Sequence, residues 1–342
     1  MDSITQAALG ASIAGAVAGK TLGRSALLTG ALLGTLPDLD VVIDYGSAVA
    51  NFTQHRGFSH SLFILIPLSF LIAWGLWRWK PQLSYQRWLA LAGLILVTHP
   101  LLDAFTTYGT QLFWPLGDPV ALNSIFIIDP LYTLPLLAGC LVFLIRPPAT
   151  NAVASGLVLS TLYLGWTLVA QQWITDRVQP ALAEVGMNEA SLLVQPMPFN
   201  TILWRVTAIT DEHRVEIVTG FLDGSDELNL EHFPRRPDLA QSVASLPEAR
   251  RLEWFTRGFL DYRLAGNQIT ATDIRLGIPG AHPFTFILAE TSESGVTPIP
   301  SGRLPRPSVN RDALPLLWSR LTGRTPVLCL ATLSAPPQGH GC

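Results

Sequence analysis

The sequence predicts an α-helical polytopic membrane domain of about six helices, one of which can be re-entrant, followed by a soluble α+β or mainly β domain. Three observations carry this reading. The 342 residues are 49% hydrophobic and only 14% charged, whereas a soluble domain usually carries roughly 25% charged residues. The charges are also uneven: residues 1–175 hold 14 and residues 176–342 hold 33. Extended patterns rich in Val, Ile and Thr are confined to the second part, which marks strands there. The domain boundary is therefore expected near residue 175. The net charge of −3 excludes a basic nucleic-acid binder, and the composition excludes collagen, coiled coil and intrinsic disorder.

Six apolar stretches follow in order: Ile4–Gly19, Ser25–Ile43, Leu62–Trp79, Trp88–Leu102, Leu131–Ile145 and Val153–Trp173. A full span takes about 20 residues. The third and sixth meet that length, and the first, fourth and fifth are short. The second is interrupted by Pro37, Asp38 and Asp40, so if one segment is re-entrant it is this one. Gly15 and Gly19 have the spacing that permits close helix approach. Asp2 stands where a signal peptide would carry positive charge, so no cleavable signal is expected. Beyond residue 175, strands are expected at Thr201–Ala208, Arg214–Phe221, Phe259–Leu264, Gln268–Leu276 and Pro283–Glu290. Helices are expected at Pro247–Gly258 and Asp312–Thr322, with loops at Met187–Pro198 and Thr297–Pro307.

Basic residues fix the orientation. Lys20, Arg24, Arg78, Lys80, Arg87 and Arg146 fall in three links that contain no acid, and these links are expected in the cytoplasm. With all six segments crossing, every Asp of the first part and His55, His60 and His99 gather on the opposite face. The expected arrangement is thus a multi-pass membrane protein whose C-terminal domain is periplasmic or extracellular. Cys140 is expected as inert packing. Cys329 and Cys342 could pair in an oxidising compartment.

Three short motifs carry the chemistry. Asp38 and Asp40 follow Pro37 at a helix end, either as cation ligands or as a polar stop to the segment. His55-Arg56-Gly57-Phe58-Ser59-His60-Ser61 offers two imidazoles, a guanidinium for an anionic oxygen, and two serines, at least one of which is expected to cap the next helix. His99 and Asp103 lie at i and i+4 on one helix face, so both can reach one ion, or Asp103 can fix the His99 tautomer. Asp129 before Pro130 reads first as a helix cap. Asp2 suits a helix N-terminus and is also on the side of the other ligands. A mixed nitrogen and oxygen set suits Zn²⁺, Mn²⁺ or Fe better than Ca²⁺.

These motifs together resemble the YdjM-like family of inner-membrane proteins, to which metal-dependent hydrolysis is ascribed. The matching stretches are Met1-Asp2-Ser3-Ile4-Thr5, Leu36-Pro37-Asp38-Leu39-Asp40, His55 to Ser61, and His99-Pro100-Leu101-Leu102-Asp103 with Tyr108-Gly109-Thr110. Asp129-Pro130 fits as well. The resemblance covers residues 1–175 and implies a location in the bacterial inner (cytoplasmic) membrane, with the C-terminal domain in the periplasm. One departure is Gln6, where many members carry His, and an amide is the poorer ligand for a transition metal.

The expected function is hydrolysis with a divalent metal, Zn or Mn, at the outer membrane face, on a lipid-linked or phosphate-ester-like substrate. Asp38, Asp40, His60, His99 and Asp103 are the expected ligands, with Asp2 and His55 next. Asp40 is the expected general base, Arg56 the neutraliser of substrate charge, and His55 a further catalytic group. Membrane lipids are the expected partners. The competing class is a non-enzymatic metal-stabilised scaffold or an ion-handling protein.

Overall fold

In a computed structural model of the chain, the described residues are 1–224, 228–293, 295–309, 313–323 and 327–335. They show a helical N-terminal region followed by a β-sheet C-terminal domain. The helices are α1 (Ser3–Leu22), α2 (Arg24–Thr35), α3 (Ala48–Gln54), α4 (Leu62–Trp79), α5 (Tyr85–Asp103), α6 (Pro130–Ile145), α7 (Thr150–Glu184), α8 (Pro237–Val243), α9 (Pro247–Thr256) and α10 (Ala313–Leu321). The strands are β1 (Ser191–Pro196), β2 (Leu203–Ile209), β3 (His213–Gly220), β4 (Leu230–Pro234), β5 (Leu260–Ala265), β6 (Gln268–Asp273), β7 (Thr285–Ser292), β8 (Gly295–Arg303), β9 (Ser308–Val309) and β10 (Ser334–Ala335).

Two compact units are present. The first comprises Met1–Ile43, His55–Ala170 and Pro198–Asn200, and the second Asp44–Gln54, Gln171–Met197 and Thr201–Cys342. The six apolar stretches fall on α1, α2, α4, α5, α6 and α7. Among the described residues only α4 and α7 combine the length and hydropathy of a membrane span, and α6 is apolar but shorter. Two of the six expected spans therefore meet that standard. Both helices turn large apolar side chains outward, among them Phe70, Leu71 and Trp74 on α4 and Val158, Leu162 and Val169 on α7.

The α1–α2 pair positions the site. A Cβ placed on Gly10 would stand 2.2 Å from the Gly30 carbonyl oxygen, and one on Gly34 would stand 2.5 Å from that of Gln6. Only glycine permits this backbone approach. The closest α1–α2 contact thus runs along Gly10, Gly30 and Gly34. Gly15 and Gly19 instead pack against Leu27, Val153 and Phe143. Below this pair lies a core of small and large apolar residues, including Ala14, Ala18, Trp88, Leu91 and Leu136.

The second unit holds two four-stranded antiparallel meanders, β1-β2-β3-β4 and β5-β6-β7-β8, and a short β9–β10 pair. Helix α3, which the sequence reading did not anticipate, belongs here. Its Phe52 ring packs on Phe255, Phe284 and Phe286 at centroid separations of 4.6–5.2 Å. Inside this unit, Arg205 donates from Nε and Nη2 to the two carboxylate oxygens of Glu216 at 2.9 and 2.7 Å. Cys140 is a free buried thiol. Cys329 is disulfide-bonded, and Cys342, its expected partner, lies outside the described residues.

Candidate metal centre

The site begins where Pro37 ends α2. Proline brings no N–H, so the helical ladder stops, and residues Pro37–Val42 tighten into a 3₁₀ turn. At three residues per turn, positions two apart point about 120° away from each other. Asp38 and Asp40 therefore separate. The side chain of Asp38 is 18% exposed and faces two imidazoles. Asp40 is buried and faces the loop before α4.

Three segments meet here. One oxygen of Asp38, Nε2 of His60, Nε2 of His99 and one oxygen of Asp103 lie within 4.8 Å of one another. His60 Nε2 is 3.1 Å from His99 Nε2. Asp38 Oδ1 is 3.4 Å from His60 and 3.5 Å from His99, and Asp103 Oδ2 is 3.2 and 3.4 Å from the same two nitrogens. A tetrahedral ion with ligand bonds of about 2.0–2.1 Å would have its ligand atoms about 3.3–3.4 Å apart. The five distances bracket that value.

Hydrogen-bond accounting points the same way. His99 Nδ1 is 2.6 Å from the Gly34 carbonyl, which can only accept, so Nδ1 carries the proton. Ser59 Oγ donates to Asp40 Oδ2 at 2.8 Å. Its single proton is then spent, so it accepts from His60 Nδ1, also at 2.8 Å. With the proton on Nδ1, the neutral form of each ring presents Nε2 as a lone-pair donor to a cation. The two nitrogens face each other and two carboxylate oxygens. Asp103 Oδ2 is buried with no hydrogen-bond partner. Four such atoms converging on one point suit a cation, and the N₂O₂ set is one that transition metals accept.

The other face of Asp103 is clamped. Its Oδ1 accepts from the Met1 amino group and from Gln6 Nε2 at 3.1 Å, and Arg56 Nη2 stands at 3.4 Å. Donors on Oδ1 leave Oδ2 for the ion. Gln6 thus orients the Asp103 carboxylate through its amide nitrogen. Arg56 is buried and has a left-handed φ of 60°, which costs a side-chain-bearing residue about 1 kcal/mol or more. Its own N–H donates to Asp40 Oδ2 at 2.8 Å. Its guanidinium reaches the Met1 carbonyl at 3.3 Å and lies over the Tyr108 ring.

The remaining candidates take other places. Asp40 lies outside the four-residue group, and its Oδ1 holds His55 Nδ1 at 2.9 Å. His55 is 27% exposed, with its ring 6.3 Å from that of His60. Asp2 caps α1, accepting from the N–H groups of Ile4 and Thr5. Asp129 caps α6 through the N–H groups of Leu131 and Tyr132 and accepts from the Tyr163 hydroxyl. Neither serine of the His55 motif caps α4 with its side chain. Ser61 Oγ donates instead to the Trp114 carbonyl. Ser59 as a link between Asp40 and His60 was not anticipated. Its signal was its place directly before a candidate ligand.

A family model, the YdjM inner membrane protein family, matches residues 1–174. The chain is 35% identical over 118 residues to the inner membrane protein YbcI of Escherichia coli, covering 34% of this chain and 68% of that protein. It is 25% identical over 268 residues to the uncharacterized protein YfhP of Bacillus subtilis, covering 74% of this chain and 77% of that one. No solved structure matches it.

Proposed function

The chain belongs to the YdjM inner membrane protein family, and from that premise we propose that it is a membrane-bound metal-dependent hydrolase with its centre at Asp38, His60, His99 and Asp103. The observation that carries the proposal is the convergence of four nitrogen and oxygen atoms, two imidazole and two carboxylate, from three separate segments. Zn²⁺ or Mn²⁺ is the ion proposed for this donor set. When bound, such an ion polarises a scissile carbonyl or phosphoryl oxygen and makes water a nucleophile at neutral pH.

The chain's own residues supply the rest. Asp40 has all of its observed partners in His55, the Arg56 N–H and Ser59. In the proposed mechanism it orients His55, and His55 moves the proton at its Nε2, the ring nitrogen that does not bond Asp40. Arg56 holds Asp103 in place and adds positive charge beside the centre, which favours a phosphate-like substrate. The substrate proposed is lipid-linked or a phosphate ester, because a centre built among apolar helix ends meets amphiphiles most readily. All six apolar segments are proposed to cross the inner membrane, with the second unit in the periplasm.

A structural metal is the second reading. Four protein ligands can complete a tetrahedron, as structural sites do, whereas catalytic sites keep a position open. The His55–Asp40 pair beside the centre favours catalysis, since a structural ion has no use for it. Elemental analysis of the detergent-purified full chain tests the centre, with His60→Ala and Asp38→Ala as variants and folding checked in each. Stoichiometric Zn, Mn or Fe lost in both variants supports it. Turnover of a phosphodiester and phospholipid panel then separates hydrolase from scaffold. No metal in the folded wild type after supplementation overturns the centre.

A further inference from the structure

Residues 104–129 connect α5 to α6, a far longer link than the about 2–8 residues that packed helices usually need. Connections of that length commonly carry function. This one is laced to the His55–Ser61 motif within the first unit. The N–H of Gln111 donates to the Arg56 carbonyl at 3.0 Å, and the N–H of Leu62 donates to the Leu112 carbonyl at 2.9 Å. Ser61 Oγ reaches the Trp114 carbonyl at 2.8 Å. On its other side, Thr110 exchanges both backbone bonds with Val120, at 3.0 and 2.8 Å. The backbone just after Tyr108 is thus fixed from two directions.

This pinning sets Tyr108 against residues 55 and 56. Its ring centroid is 5.6 Å from that of His55, with the planes tilted by 59°, and 5.3 Å from Cζ of Arg56. Tilted aromatic pairs at such separations attract edge to face, and a guanidinium within about 6 Å of a ring is drawn to its negative face. His55 is therefore held twice. Its Nδ1 lies 2.9 Å from Asp40 Oδ1, and its ring lies beside Tyr108. One hydrogen bond leaves an imidazole able to swing about that bond. A neighbouring ring removes the swing and so fixes where Nε2 points.

We infer that Tyr108 is a positioning residue for the proton transfer assigned to His55, acting through the contact of the two rings. This rests on the hydrolase reading above, in which His55 moves a proton at Nε2. Tyr108 is not one of the four residues that could hold the ion, so its replacement separates rate from metal content.

The test uses the full chain in detergent, loaded with Zn or Mn, with bis(4-nitrophenyl) phosphate and phosphatidylcholine micelles as substrates. Rates are expressed per bound metal. Tyr108→Leu should lower kcat about 10-fold or more and leave KM little changed, whereas Tyr108→Phe keeps the ring and should recover most of the rate. In a His55→Gln background, Tyr108→Leu should add nothing, because the group it positions is gone. Tyr108→Met is carried through the same cycle, so that one poorly folding variant does not decide the outcome. A loss of rate as large in the His55→Gln background as in wild type, or no loss in either, overturns the inference and leaves the hydrolase standing. Loss of metal in both the Leu and Met variants would make Tyr108 a structural support of the centre, and would also overturn it. Metal-bound wild type that turns over neither substrate overturns the hydrolase reading itself, and the inference with it.

Discussion

Ser59 stands between Asp40 and His60, donating to Asp40 Oδ2 and receiving His60 Nδ1, both at 2.8 Å. One hydroxyl thereby fixes which nitrogen of His60 faces the centre. Partners of this kind hold a ligand's tautomer and ring orientation. Ser59→Ala removes the partner while leaving all four ligands in place. Metal affinity, measured by competition with a chelator, is expected to fall about 10–100-fold. Ser59→Thr keeps the hydroxyl and should restore most of it. Equal affinity in all three proteins would show that Ser59 does not act on His60.

The second prediction joins packing to the centre. Gly30 receives Gly10 so closely that a Cβ on Gly30 would stand 2.1 Å from the Gly10 carbonyl oxygen. The obstructing atom is backbone, so it cannot swing away. Gly30→Ala should push α1 from α2 and destabilise the fold by about 1–3 kcal/mol or more. Four residues on, the Gly34 carbonyl accepts from His99 Nδ1, so metal affinity should fall with it. Gly75→Ala on α4 meets nothing within 4 Å and is the control. Thermal unfolding in detergent with chelator competition reads both. A stable, metal-retaining Gly30→Ala protein would contradict the prediction.

A third prediction concerns pH in the second unit. His282 is buried, with Nδ1 on the Leu276 carbonyl at 2.8 Å and Nε2 without a partner. Burial, together with the charges of Arg205 and Arg214, holds its imidazole well below the usual histidine range. The native state therefore keeps it neutral, while the unfolded chain takes a proton near about pH 6.5. Stability is full above that pH and declines below it, by up to about 1.4 kcal/mol per pH unit. Burial raises Glu231, which works in the opposite direction, but this is common to wild type and variant. The urea midpoint of the second unit within the full chain is expected to fall between pH 7.5 and 5.5. His282→Asn should flatten that fall, whatever it does to the midpoint at pH 7.5. Parallel slopes would remove His282 as the cause.

Legibility differed by element for physical reasons. The six apolar stretches could be placed because burial among helices or against lipid demands long runs of Leu, Ile and Ala. β3 and β7 were visible through Val, Ile and Thr. β8 was read as a loop because of Pro298 and Pro300. It is the edge of its sheet, where a missing N–H is tolerated. α3 was missed because seven residues carry little periodicity, and its Phe52 finds partners more than 200 positions away. At the centre, the ligand types were legible, while the parting of Asp38 from Asp40 depends on a 3₁₀ turn that composition does not reveal. The clamp on Asp103 Oδ1 joins residues about a hundred positions apart, beyond any local pattern.

That parting yields the last prediction. Asp38 belongs to the group of four that could hold the ion, and Asp40 holds His55 and Ser59 instead. The two carboxylates, two positions apart, should therefore fail in different ways. Asp38→Asn weakens one of four ligands and should strip the metal during purification, abolishing any turnover with it. Asp40→Asn keeps all four ligands. Its amide can still meet one of its partners, so metal content should stay near stoichiometric, with affinity lowered through Ser59 by about tenfold or somewhat more. Turnover should fall further than metal content, because His55 loses the carboxylate that sets its tautomer and stabilises its protonated form. His55→Gln should match Asp40→Asn in rate while keeping wild-type affinity, since His55 touches Asp40 and not the ligands. Elemental analysis, chelator competition and turnover on the same three preparations give the comparison. If Asp40→Asn loses metal as completely as Asp38→Asn, Asp40 is a ligand and the proposed role of His55 fails with it.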